Sequence, residues 1–170
     1  MNVNILNSNP NVQSNNLLQI DDARITFKNF EGRGDQFNRE GDRNFSVIID
    51  DVDIAEALQK DGWNVKIKAP REEGELPRMT LKVKVKFNSR GPKIYLVSNG
   101  HQVLLDEDAV ASLDFADIIS CDMDIRAYDW ENNGKSGRTA YLNAMRVRQN
   151  VDRFAQELGE SEFPGEEVPF

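Results

Sequence analysis

Apolar and polar residues alternate along much of this chain with a period of two, the spacing of a half-buried strand. The clearest case is residues 81–87: Leu81, Val83, Val85 and Phe87 face one way, and Lys82, Lys84 and Lys86 face the other. The same pattern predicts strands over residues 24–30, 45–49, 63–69 and 93–98, and two long strands over 118–130 and 138–148. A short helix is expected over residues 53–60, with Asp53 as N-cap, Glu56 three residues on and Gly62 past its end. Asp106 is placed to cap a second helix over residues 107–115. Between these lie a polar, glycine-bearing loop (31–43), a charged loop (71–77) and a loop over 131–137 with an Asn133-Gly134 hairpin signal. Short strands, two short helices and no βαβ rhythm predict a mainly β fold, a small antiparallel barrel or sandwich.

The length, 170 residues, fits one domain with tails. The first sixteen residues include seven asparagines and show no periodicity, so residues 1–21 are expected to be a flexible N-terminal arm. The domain proper is expected over 22–150, and residues 151–170 form an acidic C-terminal tail. No stretch approaches the roughly 20 apolar residues of a membrane span. No basic residue precedes Arg24, so the N-terminus does not read as a signal peptide. Cys121 is the single cysteine, which excludes an intrachain disulfide and a cysteine-based metal cluster. A cytoplasmic protein is expected.

Net charge is −8, which at first disfavours a nucleic-acid partner. Its distribution reverses that reading. Residues 152–170 hold six acids and one base, whereas residues 76–105 hold six bases (Arg78, Lys82, Lys84, Lys86, Arg90 and Lys93) and no acid. The three alternating lysines put ammonium groups on one strand face about 7 Å apart, from roughly 3.3 Å per residue. Lys66 and Lys68 repeat the arrangement opposite Val65 and Ile67. That spacing is near the phosphate spacing of an extended single strand. A lysine-rich edge strand that resists aggregation has the same look, but does not account for the missing acids.

Single-strand binding also needs aromatic platforms, because every base has a face to stack. The candidates are Phe37 in a polar loop, Trp63, and Tyr128 with Trp130, which share one strand face near Lys135 and Arg138. Other signals fail on chemistry. Gly134-Lys135-Ser136 lacks the upstream glycine of a phosphate-binding loop, since position 129 is Asp. Arg33-Gly34-Asp35 has no secretory context. Asp122, Asp124 and Asp129 split between two strand faces, and His101, the only histidine, reads as an exposed turn residue. No catalytic step, metal or cofactor is expected.

Two resemblances extend this reading. The Glu167-Val168-Pro169-Phe170 ending resembles the C-terminal peptide of bacterial single-stranded DNA-binding proteins. In that family the tip docks on replication and repair enzymes. A terminal ring filling an apolar pocket while the α-carboxylate meets a base is a recognised mode of capture. The segments Arg24-Ile-Thr-Phe-Lys-Asn-Phe30, Phe37-Asn-Arg-Glu-Gly-Asp-Arg-Asn-Phe45 and Asp61-Gly-Trp-Asn-Val65 resemble phage-encoded single-stranded DNA-binding proteins of the OB-fold type. So do Tyr128-Asp-Trp-Glu131, Gly134-Lys-Ser-Gly137 and Ala140-Tyr-Leu142. This resemblance covers about residues 22–150. It implies an OB-fold-like five-stranded barrel that binds single-stranded DNA without sequence preference, in phage replication and recombination. Nucleic acid would lie across the central strands, between loop 31–43 with Arg33, Phe37, Arg39 and Arg43 and loop 131–137 with Lys135.

Readings from other classes predict different behaviour. An acidic DNA mimic would bind an enzyme and not DNA; the acid-free stretch speaks against it. An annealing or recombination-mediator protein would use the same surface but assemble into higher oligomers.

Overall fold

The computed structural model describes residues 1–6 and 17–150. Nine strands run in the order β1 (Asn2–Leu6), β2 (Leu17–Asn29), β3 (Arg43–Ile49), β4 (Val65–Lys68), β5 (Arg78–Val85), β6 (Lys93–Ser98), β7 (His101–Leu105), β8 (Ile118–Asn132) and β9 (Lys135–Gln149). One α-helix, α1 (Val52–Lys60), joins β3 to β4, and a 3-10 helix (Val110–Asp114) precedes β8. Five strands close a ring. β2 pairs with β3, β3 with β5, β8 with β9 and β8 with β2, all antiparallel, while β5 meets β9 in parallel. This is the mainly β, OB-like fold expected from the sequence. β4 extends the sheet beside β5, and the β6–β7 hairpin extends it beside β9.

The alternation of apolar residues builds the core. Met79, Leu81, Val83 and Val85 of β5 point inward, with Phe45 and Val47 of β3 and Cys121, Met123 and Ile125 of β8. Phe30 stacks on Phe45 at 5.3 Å between ring centroids. Each fully buried side chain of this size contributes about 1.5–3 kcal/mol.

Several local expectations are corrected. The supposed arm is strand over residues 2–6 and 17–21: β1 pairs with the start of β2, and Leu18 and Ile20 alternate into the core. The abundance of asparagine hides this period. The cap of α1 is Asp51, two residues earlier than predicted. Its backbone is extended and its carboxylate accepts the N–H groups of Asp53 and Ile54 at 2.8 and 3.4 Å. The second helix is 3-10, because its only inward residues, Val110 and Leu113, stand three apart, which suits three residues per turn. Its N-cap is Ala109, with no side-chain cap; Asp106 instead accepts the Ala109 N–H at 2.8 Å in the turn that leads into it. His101, though exposed, opens strand β7 after an Asn99-Gly100 turn with positive φ at both residues. The loop over 131–137 shrinks to Asn133-Gly134, with φ of 52° and 80°, a tight turn whose twist matches the strands it joins. Residues 7–16 of the arm and the whole tail, including Val168, Pro169 and Phe170, lie outside the described residues.

Candidate nucleic-acid interface

The outer face of the ring carries the lysines. Register places Lys82 beside Ser46 and Lys84 beside Asn44 on β3, and Lys84 beside Tyr141 on β9. On the far side of Tyr141, the Arg126 guanidinium sits over its ring at 4.7 Å, and the Tyr128 ring meets it edge-on at 6.3 Å. On the other flank, Lys66 lies opposite Thr80 and Lys68 opposite Arg78, so β4 continues the same basic face. Lys66, Lys68, Lys82, Lys84 and Lys86 are all exposed, and none makes an ion pair among the described residues.

The β2–β3 loop closes over one end of this face through its own hydrogen bonds. Asp35 accepts from the N–H groups of Phe37 and Asn38 at 2.7 and 2.8 Å. The Asn38 amide donates to the carbonyls of Arg33 and Asp42, and its oxygen accepts from Asn44 of β3. Gly32, at φ 78°, lets the two arms of the loop meet: a Cβ there would stand 3.1 Å from the Gly41 backbone. The folded loop holds Phe37 outward, 87% exposed, with no core contact.

Phe37, Arg39, Lys82, Lys84, Lys86 and Tyr141 line one cleft of about 400 Å³. Lys86 also borders a recess of about 600 Å³ with Asn88, Arg90 and Arg126. Lys82 and Lys84 also border a shallow recess of about 110 Å³ beside Asn64 and Thr139. The shared lysines join the three into one trough across β3, β5 and β9. Its walls combine cations with aromatic rings, the composition that single-stranded nucleic acid requires.

Not every residue singled out in the sequence reaches the trough freely. Trp63 is 2% exposed; its indole N–H donates to Asp61 at 3.0 Å, and the Arg138 guanidinium covers the ring at 5.0 Å. No face of that ring is open to a base. Arg138 is itself held by Asp129 and by the Asp61 carbonyl. Both border the small recess beside Lys82 and Lys84, with the Trp63 ring buried beneath the Arg138 guanidinium. Arg43 bonds the Phe30 carbonyl and Glu107 and lies 5.5 Å from the Phe87 ring, so it braces the cleft wall. Arg33 and Arg39 are exposed and loosely paired with Glu31 and Asp42, contacts that exposed geometry makes weak. Trp130 is exposed, packs against Gly137 and lines a further recess with Asp129, Glu131 and Arg138, the last shared with the recess beside Lys82 and Lys84. Lys135 stands at the hairpin tip, and Lys93 opens β6 opposite Ala144. Tyr141, Arg126 and Phe87 line these clefts but are not among the candidate site residues read from the sequence. Tyr141 becomes visible only through the parallel β5–β9 pairing, which no local period signals.

The other end of the β8–β9 face is built differently. Arg148 grips Asp122 with two hydrogen bonds of 2.7 and 2.9 Å and donates to Ser120 at 2.7 Å. The Arg148 hydrogen bonds hold the Asp122 carboxyl below its usual range, against a smaller opposing effect of burial. Beneath them, burial pushes the Cys121 thiol up to about 12, which makes it inert as a nucleophile.

Comparison with known proteins fits this geometry. Among curated proteins none matches the chain. Among solved structures, the single-stranded DNA-binding protein from bacteriophage Enc34 is similar in fold, with 11% identity, 89% of this chain and 93% of that chain covered, and a TM-score of 0.50. The same protein in complex with single-stranded DNA gives 12% identity, 88% and 98% coverage, and a TM-score of 0.50. The family model described as "Putative phage ssDNA-binding domain" matches residues 9–164, and the chain therefore belongs to that family.

Proposed function

We propose that this chain binds single-stranded DNA without sequence preference and protects it during phage DNA replication and recombination. The observation that carries the reading is the trough: Lys82, Lys84 and Lys86 lie in line along one wall, beside the Phe37 and Tyr141 rings. Ammonium groups meet phosphates whatever the sequence, and rings accept any base. Arg90, Arg126, Lys66 and Lys68 extend the phosphate track at its two ends, and Tyr128 buttresses Tyr141. The ligand bound by the Enc34 protein, single-stranded DNA, supports the choice of partner. Titration with labelled oligo-dT, oligo-dA and mixed sequences at several salt concentrations tests it. Similar affinities are expected, with log affinity falling by about 0.7 per phosphate neutralised for each unit of log salt. Sequence-selective or salt-indifferent binding overturns the reading.

The acidic tail serves as a recruiting arm in this proposal, with Val168, Pro169 and Phe170 as the segment that docks replication or recombination enzymes. Its support is the charge and apolar content of residues 166–170. Deleting Val168–Phe170 is expected to leave oligo-dT affinity nearly intact while abolishing pull-down of such enzymes. Equal recovery with and without the three residues rejects the docking role.

A further inference from the structure

The apolar face of the sheet outruns its cover at one edge. Residues paired across neighbouring strands share a face, so the register traces a single apolar row outward from the core. It runs through Ala23 of β2, Cys121 of β8, Val147 of β9, Leu96 of β6 and Val103 of β7. Ala23, Cys121 and Val147 are buried, Leu96 is half-buried, and Val103 is 55% exposed. The next row on that face, Met123, Met145, Ile94 and Leu105, is buried throughout. Leu104, on the opposite face of β7, is 57% exposed. A face built for a core therefore ends bare at β7.

Among the described residues, β1, β4 and β7 each pair with one strand only. Such an edge presents a row of backbone N–H and C=O groups, which proteins blunt with charge, proline or a bulge. β4 carries Lys66 and Lys68, and β1 presents Asn2 and Asn4. β7 has no such device: residues 94–105 include no Lys, Arg, Asp, Glu or Pro, and the β6–β7 register is unbroken. The two-residue Asn99-Gly100 turn makes Ser98 and His101 a hydrogen-bonded pair. Alternation then points the backbone groups of Gln102 and Leu104 away from β6. We propose that β7 pairs antiparallel with β7 of a second copy, about a two-fold axis at Val103, and joins two sheets into one. A two-fold axis sets a surface against itself, which suits an edge without charge and would crowd lysines together at β4. At β7 it lays Val103 against its own counterpart and Gln102 against the counterpart of Leu104. The outward backbone groups then meet in register, and the apolar row runs unbroken from one core to the other. The pairing needs no DNA, so its failure would leave the DNA-binding reading untouched.

Sedimentation velocity and amide hydrogen exchange on the full chain, without DNA, test this. A dimer that dissociates on dilution is expected, and the Gln102 and Leu104 amides should exchange at least about tenfold more slowly in the dimer than in the monomer. Val103→Lys, a change at an exposed position, should give a folded monomer in which both amides lose that protection. Val103→Cys supplies the converse. Facing residues of a non-hydrogen-bonded antiparallel pair stand about 4.5 Å apart at Cα, within disulfide reach, so mild oxidation should link most of the protein into dimers. The buried Cys121 does not compete. A monomer at every concentration overturns the proposal, whether the two amides exchange freely or are covered by another part of the chain. A dimer that persists in Val103→Lys, or that fails to link in Val103→Cys, is held by another surface and overturns it equally.

Discussion

The two halves of the long β8–β9 face are made from the same strands and differ in how their charges are answered. At the Ile118 end, Arg148, Asp122 and Ser120 satisfy one another, with Asp22 of β2 3.9 Å away. At the other end, Arg126 has only a ring beneath it, and Lys84 beside Tyr141 has no acid at all among the described residues. Polar groups that close their own bonds contribute to folding and leave little for a ligand. Cations left open repel one another and favour an outside anion. The comparison therefore separates an end whose charges answer one another from an end whose cations stay open, the end we propose for DNA.

Three experiments probe that division. The largest effect is expected from reversing Lys82, Lys84 and Lys86 together to Glu. Oligo-dT affinity should collapse at low salt, and the slope of log affinity against log salt should fall by about 2, from roughly 0.7 per phosphate contact. A folded triple variant with unchanged affinity would erase the distinction between the halves. A smaller, crossed effect compares Tyr141→Ala and Phe37→Ala with Arg148→Ala. Each lost ring should weaken binding by about 1–3 kcal/mol. Phe37→Ala should leave Tm unmoved, because the ring touches no core. Arg148→Ala should lower Tm and spare DNA affinity, since Asp122 is left half-buried without its partner. Loss of DNA affinity in Arg148→Ala at constant Tm would show that the paired end also binds.

The smallest effect is a pH dependence. Arg148 depresses the folded-state pKa of Asp122 below its ordinary 3.8. Stability from the pair is therefore fully present above that value and is lost as pH falls below it toward the folded pKa. Asp122→Asn should flatten this acid limb of Tm against pH. Asp124 runs the other way, its carboxyl raised by burial and by Asp21. Asp124→Asn should slightly raise Tm at neutral pH, where the charge is unfavourable. An unchanged acid limb in Asp122→Asn would mean that the pair has no folding role.

Much of this was legible in the sequence, for definite reasons. The alternation through Leu81, Val83 and Val85 identified both the core face and the lysine face, because period and chemistry agreed there. Phe37 stood out because a ring among polar neighbours has nothing to pack on. Tyr141 did not stand out, because its neighbours Ala140 and Leu142 are buried and its role depends on a strand far away in sequence. How Trp63 and Arg138 sit together was hidden for a related reason. Each looks like a binding residue alone, but the hairpin stacks one on the other at 5.0 Å. β1 was hidden by its asparagines, which occupy the outward positions of a strand whose Val3 and Ile5 pack on the core. Periodicity reports which way a residue faces; it does not report what the rest of the chain brings to that face.

The ring closes where it is thinnest. β5 and β9 share only the pairs Val83–Ala140 and Lys84–Tyr141, the shortest pairing in the circuit. A DNA strand laid in the trough would rest on Lys84 from one lip and Tyr141 from the other, so it would act as a clasp across the seam. Opening that seam would then require releasing the strand. Bound DNA would make the fold more durable by mass action, and the protein would be at its most robust while wrapped in its own cargo.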